Sequence, residues 1–198
     1  MGVNLMSEVA CKSRLYVILD ELVKEEFNGR VEIEYPIKFD KGPSKRVDLV
    51  VFIRNRPLLV IEVKSVKVGG TFERAISQAY EYAKLLRSNY LAVTDCRSLL
   101  IFKYSEPYPK ILRSYYRLDN SLISKEFWYS ILNALIISPS TLPKSDSLTK
   151  ENERALLGVA RHIAWKILCS KRIPVPLPEL NKLTSKIYRG WINELKKV

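Results

Sequence analysis

The sequence holds little of what several kinds of functional site require. Its three cysteines, Cys11, Cys96 and Cys169, stand far apart in 198 residues. That number and spacing fit neither a disulfide framework nor a zinc cluster, so two buried thiols and a spare one are expected. His162 is the sole histidine, which excludes metal chemistry built on several imidazoles and leaves any Ser-His-Asp hydrolase to depend on that one residue; a place bordering a core helix is the plainer expectation. Among seven glycines none forms a phosphate-cradling loop. Gly69-Gly70 is an isolated pair without the Walker or dinucleotide spacing, and reads as a hinge. No apolar run approaches the roughly 18 residues of a membrane span, and the N-terminus lacks the order of a cleavable signal. A globular protein inside the cell, with no organic cofactor, is expected. Acid is also scarce: 21 acidic residues face 33 basic ones, for a net charge of +12. Such a surface attracts polyanions, nucleic acid or an anionic membrane among them. Gln78 is the only glutamine, and charged residues make up 27% of the chain, a composition that suits a thermophile's protein.

Where acids do occur is therefore informative. Two β-branched, nearly continuous apolar runs, Val47–Ile53 and Leu58–Lys64, carry Asp48 and Glu62 within them. Such runs read as strands covered on both faces, where an unpaired charge costs several kcal/mol or more, roughly. A divalent cation would hold those carboxylates there, since Mg²⁺ binds through one or two carboxylates and completes its shell with water and phosphate oxygens. Glu62 and Lys64, two apart, share a strand face. Asp48 must join them from the neighbouring strand. A regular two-residue loop at Asn55-Arg56 would set Asp48 opposite Val63, on the wrong face, so an irregular hairpin is predicted: a three-residue loop or a bulge that brings Asp48 opposite Glu62 or Lys64. The alternative is an edge hairpin whose outer face is solvated, with all three as ordinary surface charges.

Val47-Asp48, a spacer, then Ile61-Glu62-Val63-Lys64 resembles the core of the PD-(D/E)XK nuclease superfamily, with Val47 in place of the family's proline. Gln78-Ala79-Tyr80-Glu81-Tyr82 is similar to the Gln-x-x-x-Tyr element of RecB-type nucleases and of the N-terminal nuclease region of type I restriction R subunits. Tyr90–Asp95 and Leu99–Phe102 resemble the next strand pair of that region, so the likeness spans roughly residues 5 to 105. It implies an α/β fold of restriction-endonuclease-like type, a layered core with a mixed central sheet flanked by helices. It also implies hydrolysis of DNA phosphodiester bonds, with an endonuclease as the leading form. Asp48 and Glu62 would ligate Mg²⁺ or Mn²⁺, assisted by the Val63 carbonyl, and Lys64 would orient or deprotonate water or stabilise transition-state charge. Gln78 and Tyr82, one helical turn apart, would reach the site together; a polar border on the apolar stripe Phe72, Ala75, Ile76, Ala79, Ala83, Leu86 is the alternative. Such folds place an acid on the first helix. Glu8 is the candidate, heading the stripe through Cys11, Leu15, Leu19 and Leu22 on a helix over about 5–27 whose periodicity runs through Val9, Leu15, Leu19, Leu22 and Val23, or else serving a cap made by Ser7 or Asn4.

The remainder reads as a first strand near 31–39, the elements above over 1–118, and a helical C-terminal extension over 119–198 that packs on the core or contacts DNA or a partner. Helical patterns cover about 121–137, 149–170 and 179–197, and Ile173–Pro178 is a stiff spacer. In the turn-rich stretch 40–46, Lys45 and Arg46 are candidates for phosphate contact. So is the face of the last helix bearing Lys182, Lys186 and Arg189, opposite the apolar Leu183, Ile187, Trp191 and Leu195; a solvated face competes with that reading. Tyr104, Tyr108, Tyr115 and Tyr116 among Lys110, Arg113 and Arg117 either stack on unpaired bases or close the core. Three functions stay open: the nuclease, a non-catalytic nucleic-acid-binding or assembly protein on the same fold, and a Holliday-junction resolvase. A homodimer would suit an enzyme that cuts two strands.

Overall fold

A computed structural model describes residues 7–37, 44–64, 71–116, 121–170 and 175–197. The Gly69-Gly70 hinge, the turn at 40–43, the start of the proline spacer at 173–174, Asn4 and Arg117 lie outside them. The elements are α1 (Glu8–Glu26), β1 (Gly29–Ile37), β2 (Lys45–Ile53), β3 (Arg56–Val63), α2 (Thr71–Leu86), β4 (Tyr90–Thr94), β5 (Ser98–Lys103), β6 (Lys110–Tyr116), α3 (Lys125–Ile137), α4 (Lys150–Cys169) and α5 (Leu177–Lys196).

The six strands form one mixed sheet in sequence order. Only β3 and β4 are parallel, joined by the α2 crossover; every other neighbouring pair is antiparallel. Burial explains the strand sequences. All five residues of β4 are buried, as are Val47–Phe52 of β2 and Leu59–Val63 of β3, because helices cover both faces. The edge strand β1 is only partly covered and is more polar. One face packs Val50, Phe52 and Val60 against α2, α4 and α5; the other packs Leu49, Val51, Leu59 and Ile61 against α1 and α3. The three C-terminal helices thus complete both layers of the core. Among the described residues, no helix is long and apolar enough to cross a membrane.

The β2–β3 hairpin is irregular, as its acids require, but the loop itself is regular. Arg54 and Asn55 both have left-handed backbones (φ 49° and 62°), the two-residue turn whose twist suits a hairpin. It pairs Ile53 with Arg56 and Phe52 with Pro57; a shift then sets Val51 against Leu59 and Leu49 against Ile61. The extra residue, Leu58, carries the register one step on, so Asp48 falls opposite Glu62. Without the bulge the two carboxylates would point to opposite faces.

Three expectations are corrected. Cys11 and Cys96 are joined in a disulfide across 85 residues of sequence, because α1 packs beneath the β4–β5 turn and brings two buried side chains together. The tyrosine-rich segment contains a sixth strand, β6. There Tyr115 is buried and its hydroxyl donates to the Pro143 carbonyl at 2.8 Å, while buried Arg113 donates to the Pro143 and Leu112 carbonyls. Those side chains close the core and are not free to contact bases or phosphates. Val9, part of the helical periodicity, is 69% exposed because the α1 stripe turns away from it toward Cys11, Leu15, Leu19 and Leu22.

Candidate active site

Asp48 and Glu62 lie side by side on adjacent strands, and both are buried. The Asp48 Oδ2 accepts the Val63 main-chain N–H at 2.9 Å, and a Glu62 Oε1 accepts the Asp48 N–H at 3.4 Å. Each acid is therefore held by the other's strand. Lys64 sits just past the end of β3, its own N–H bonded to the Thr94 carbonyl at 2.9 Å. Its ammonium stands 3.2 Å from Glu62 Oε2 and 3.6 Å from Asp48 Oδ2. Burial, and next the Asp48 charge, push the Glu62 carboxyl up to about 7. Burial works against the Lys64 charge, yet Glu62 and Asp48 hold its ammonium above the ordinary lysine value, with a further contribution from Glu8.

The first helix closes the site from the other side. Ser7 caps α1, its hydroxyl accepting the Ala10 N–H at 3.2 Å, and Glu8 lies in the first turn, half-buried, within electrostatic reach of Lys64. One turn on, Lys12 donates to Asp48 Oδ1 at 3.2 Å and pairs with Glu34 of β1. Lys12 and Glu34 were not foreseen. Lys12 stands four residues after Glu8 on the same helix side, a weak signal; nothing in the β1 sequence distinguishes Glu34 from Glu32.

The α2 residues divide. Tyr82 is buried, and its hydroxyl is pushed up to about 12, by burial first and then by Glu62 and Asp48, which lie within electrostatic reach of it. Gln78 is half-buried in a cleft of about 270 Å³ lined also by Glu73, Arg74, Ser77, Glu81 and His162. Among the described residues, no hydrogen bond joins it to Asp48, Glu62 or Lys64. One helical turn of separation fixes the side of a helix but not a side chain's reach. His162 borders that cleft and stacks near Trp165. Lys45 and Arg46 are exposed, but they begin β2, paired with Ile37 and Pro36, and do not belong to a loop. Lys182, Lys186 and Arg189 are exposed on α5. That helix packs on α4 and β6, toward the β6 edge of the sheet and three strands from β3.

The donor set suits a hard divalent cation. Glu8, Glu34, Asp48 and Glu62 carry four acids against the ammoniums of Lys12 and Lys64, leaving two negative charges when all are ionised, in a chain of net charge +12. Among the described residues no three Asp, Glu, His or Cys side chains converge to hold a metal. Asp48 and Glu62, with the Val63 carbonyl, could hold Mg²⁺ or Mn²⁺ completed by water and phosphate; two carboxylates do not fit a structural zinc site.

Residues 18–113 match the family described as the type I restriction enzyme R protein N terminus. The match contains Asp48, Glu62, Lys64, Gln78 and Tyr82, and leaves out Glu8 and Lys12. Comparison with curated proteins finds no match. Among solved structures the chain is similar to a "putative nuclease belonging to DUF820" from Anabaena variabilis ATCC 29413, 16% identical over 52% of this chain and 65% of that one, with a TM-score of 0.40. It is similar also to the type IIG restriction endonuclease BpuSI, at 13% identity over 96% of this chain, with a TM-score of 0.46. A third is a fragment of a "putative HsdR subunit of a type I restriction enzyme" from Vibrio vulnificus YJ016, at 18% identity over 92% of this chain, with a TM-score of 0.41. The chain spans 30% and 38% of the lengths of these last two. The family match and the mixed six-stranded sheet flanked by helices describe a restriction-endonuclease-like fold.

Proposed function

We propose that this restriction-endonuclease-like chain is a metal-dependent nuclease that hydrolyses DNA phosphodiester bonds, an endonuclease by preference. The observation that carries the reading is the buried pair Asp48–Glu62, aligned by a bulge and bracketed by Lys64. Burying two carboxylates side by side is unfavourable unless a cation shares them. Bound there, Mg²⁺ or Mn²⁺ would supply a lowered water pKa and neutralisation of phosphate charge. Asp48 and Glu62 would hold it, with the Val63 carbonyl. Lys64, kept cationic by the same two acids, would stabilise the extra negative charge of the transition state or orient the attacking water. Tyr82 would remain a neutral phenol, a hydrogen-bond donor facing the carboxylates and the substrate phosphate. Exposed Lys45 and Arg46, three and two residues before Asp48, would meet the phosphates flanking the scissile one. The α5 face bearing Lys182, Lys186 and Arg189 would bind backbone farther along a duplex.

Wild type, Asp48→Ala, Glu62→Ala and Lys64→Ala are compared on plasmid, single-stranded, flapped and four-way DNA with Mg²⁺, Mn²⁺ or EDTA. Cutting that requires metal and falls at least about a hundredfold in every variant is expected, as for groups acting together in one transition state. Binding without cutting would leave a nucleic-acid-binding protein on a nuclease scaffold. Cutting confined to four-way substrates would make it a junction resolvase. Sedimentation with and without duplex reports whether two copies assemble for two cuts. We place its action inside the cell, where a buried disulfide is most at home in a hyperthermophile.

A further inference from the structure

Three acids lie at one level across three strands. Glu34 of β1 sits between the pairs Ile33–Leu49 and Tyr35–Val47, facing Asp48 of β2; Asp48 in turn falls one step beyond Leu49–Ile61, facing Glu62 of β3. Like charges directly opposite each other on a sheet repel. Two lysines separate them, Lys64 between Glu62 and Asp48 and Lys12 between Asp48 and Glu34. Glu34 is also the one described strand residue with a left-handed backbone, φ 52°. A glutamate keeps that conformation only where its surroundings over-determine it. Here the surroundings include the ammonium of Lys12.

We infer that Lys12 is a positioning residue of the carboxylate site: it holds Asp48 by Oδ1 while Glu34 holds Lys12. The inference rests on the nuclease reading and deepens it. Asp48 takes the Val63 N–H on Oδ2 and the Lys12 ammonium on Oδ1. With a donor on each oxygen, the carboxylate plane cannot turn, and its remaining lone pairs are kept for a cation shared with Glu62. A carboxylate oxygen has a second lone pair, so neither donor excludes the cation. Glu34 matters because an uncompensated ammonium 3.2 Å from Asp48 would compete with that cation. Paired with Glu34, Lys12 fixes geometry without adding net charge. Lys12 touches no reacting atom in this arrangement; it acts through Asp48.

The variant that separates geometry from charge is the double substitution Lys12→Met with Glu34→Gln, which removes one charge of each sign. Mn²⁺ binding to the full chain is measured by titration calorimetry and by electron paramagnetic resonance, with circular dichroism and thermal melts in EDTA beside it. A folded double variant with Mn²⁺ affinity reduced ten- to a hundredfold is expected, the loss typical of a partner that orients a metal ligand. Glu34→Gln alone, which leaves Lys12 uncompensated, is expected to weaken Mn²⁺ binding while keeping α1 docked through Lys12 and Asp48; it serves if the double variant does not fold. Affinity matching wild type in both variants, with only the melting temperature changed, would overturn the inference and make Lys12 a purely structural ion pair. No Mn²⁺ binding by the wild type would overturn the nuclease reading as well.

Discussion

Reducing the Cys11–Cys96 disulfide should destabilise the protein by an amount its loop length sets. The bond closes 85 residues, and the chain-entropy relation for such a loop corresponds to about 4–5 kcal/mol at 25 °C. Both sulfurs are buried, and the bond joins α1, which carries Glu8 and Lys12, to the turn that follows Thr94. With a guanidinium m-value of about 4 kcal/mol per molar, the unfolding midpoint should fall by about 1 M on reduction. Fluorescence of the three tryptophans follows the transition. Thiol titration in denaturant provides the control, with one reactive thiol, Cys169, before reduction and three after it. Superimposable unfolding curves from samples that differ in thiol count would refute the loop-closure argument. Three thiols in the unreduced protein would refute the bond itself.

The raised Glu62 carboxyl gives a pH dependence with a definite sign. Its folded value is about 7 against an ordinary 4.5, so between those values the folded protein keeps a proton that the unfolded chain has released. Stability of the metal-free protein is therefore fully present below the lower value and falls as pH rises through the higher one, by at most about 3 kcal/mol. Thermal melts in EDTA should show that slope in wild type, lose it in Glu62→Gln, and flatten it with saturating Mg²⁺; a slope unchanged in Glu62→Gln would assign it elsewhere. Two glycines should respond oppositely to alanine. At Gly29 a Cβ would lie 2.1 Å from the Phe52 carbonyl oxygen and 2.6 Å from Val23, so Gly29→Ala should cost about 1–3 kcal/mol in denaturant unfolding. At Gly190 nothing lies within 4 Å, and Gly190→Ala on α5 should gain roughly 0.5–1 kcal/mol.

Much of this protein follows from local pattern. The apolar runs around Asp48 and Glu62 specify buried strands, the α1 stripe through Cys11, Leu15, Leu19 and Leu22 specifies which side of that helix is covered, and the need to bring two acids to one face specifies an irregular hairpin. Each of these depends on residues within a few positions of one another, where strand and helix periods act directly. Local pattern did not reveal β6, because its mixture of tyrosine, arginine and lysine becomes strand-like only when β5 supplies a partner and Pro143 satisfies Arg113. Nor did it locate the bulge at Leu58, which depends on where the Arg54-Asn55 turn begins. The pairing of Cys11 with Cys96, and of Lys12 with Asp48 across 36 residues and with Glu34 across 22, belonged wholly to the tertiary structure. Those contacts depend on how α1 crosses the sheet, and a helix's own period sets which side it buries but leaves open which strands it will meet.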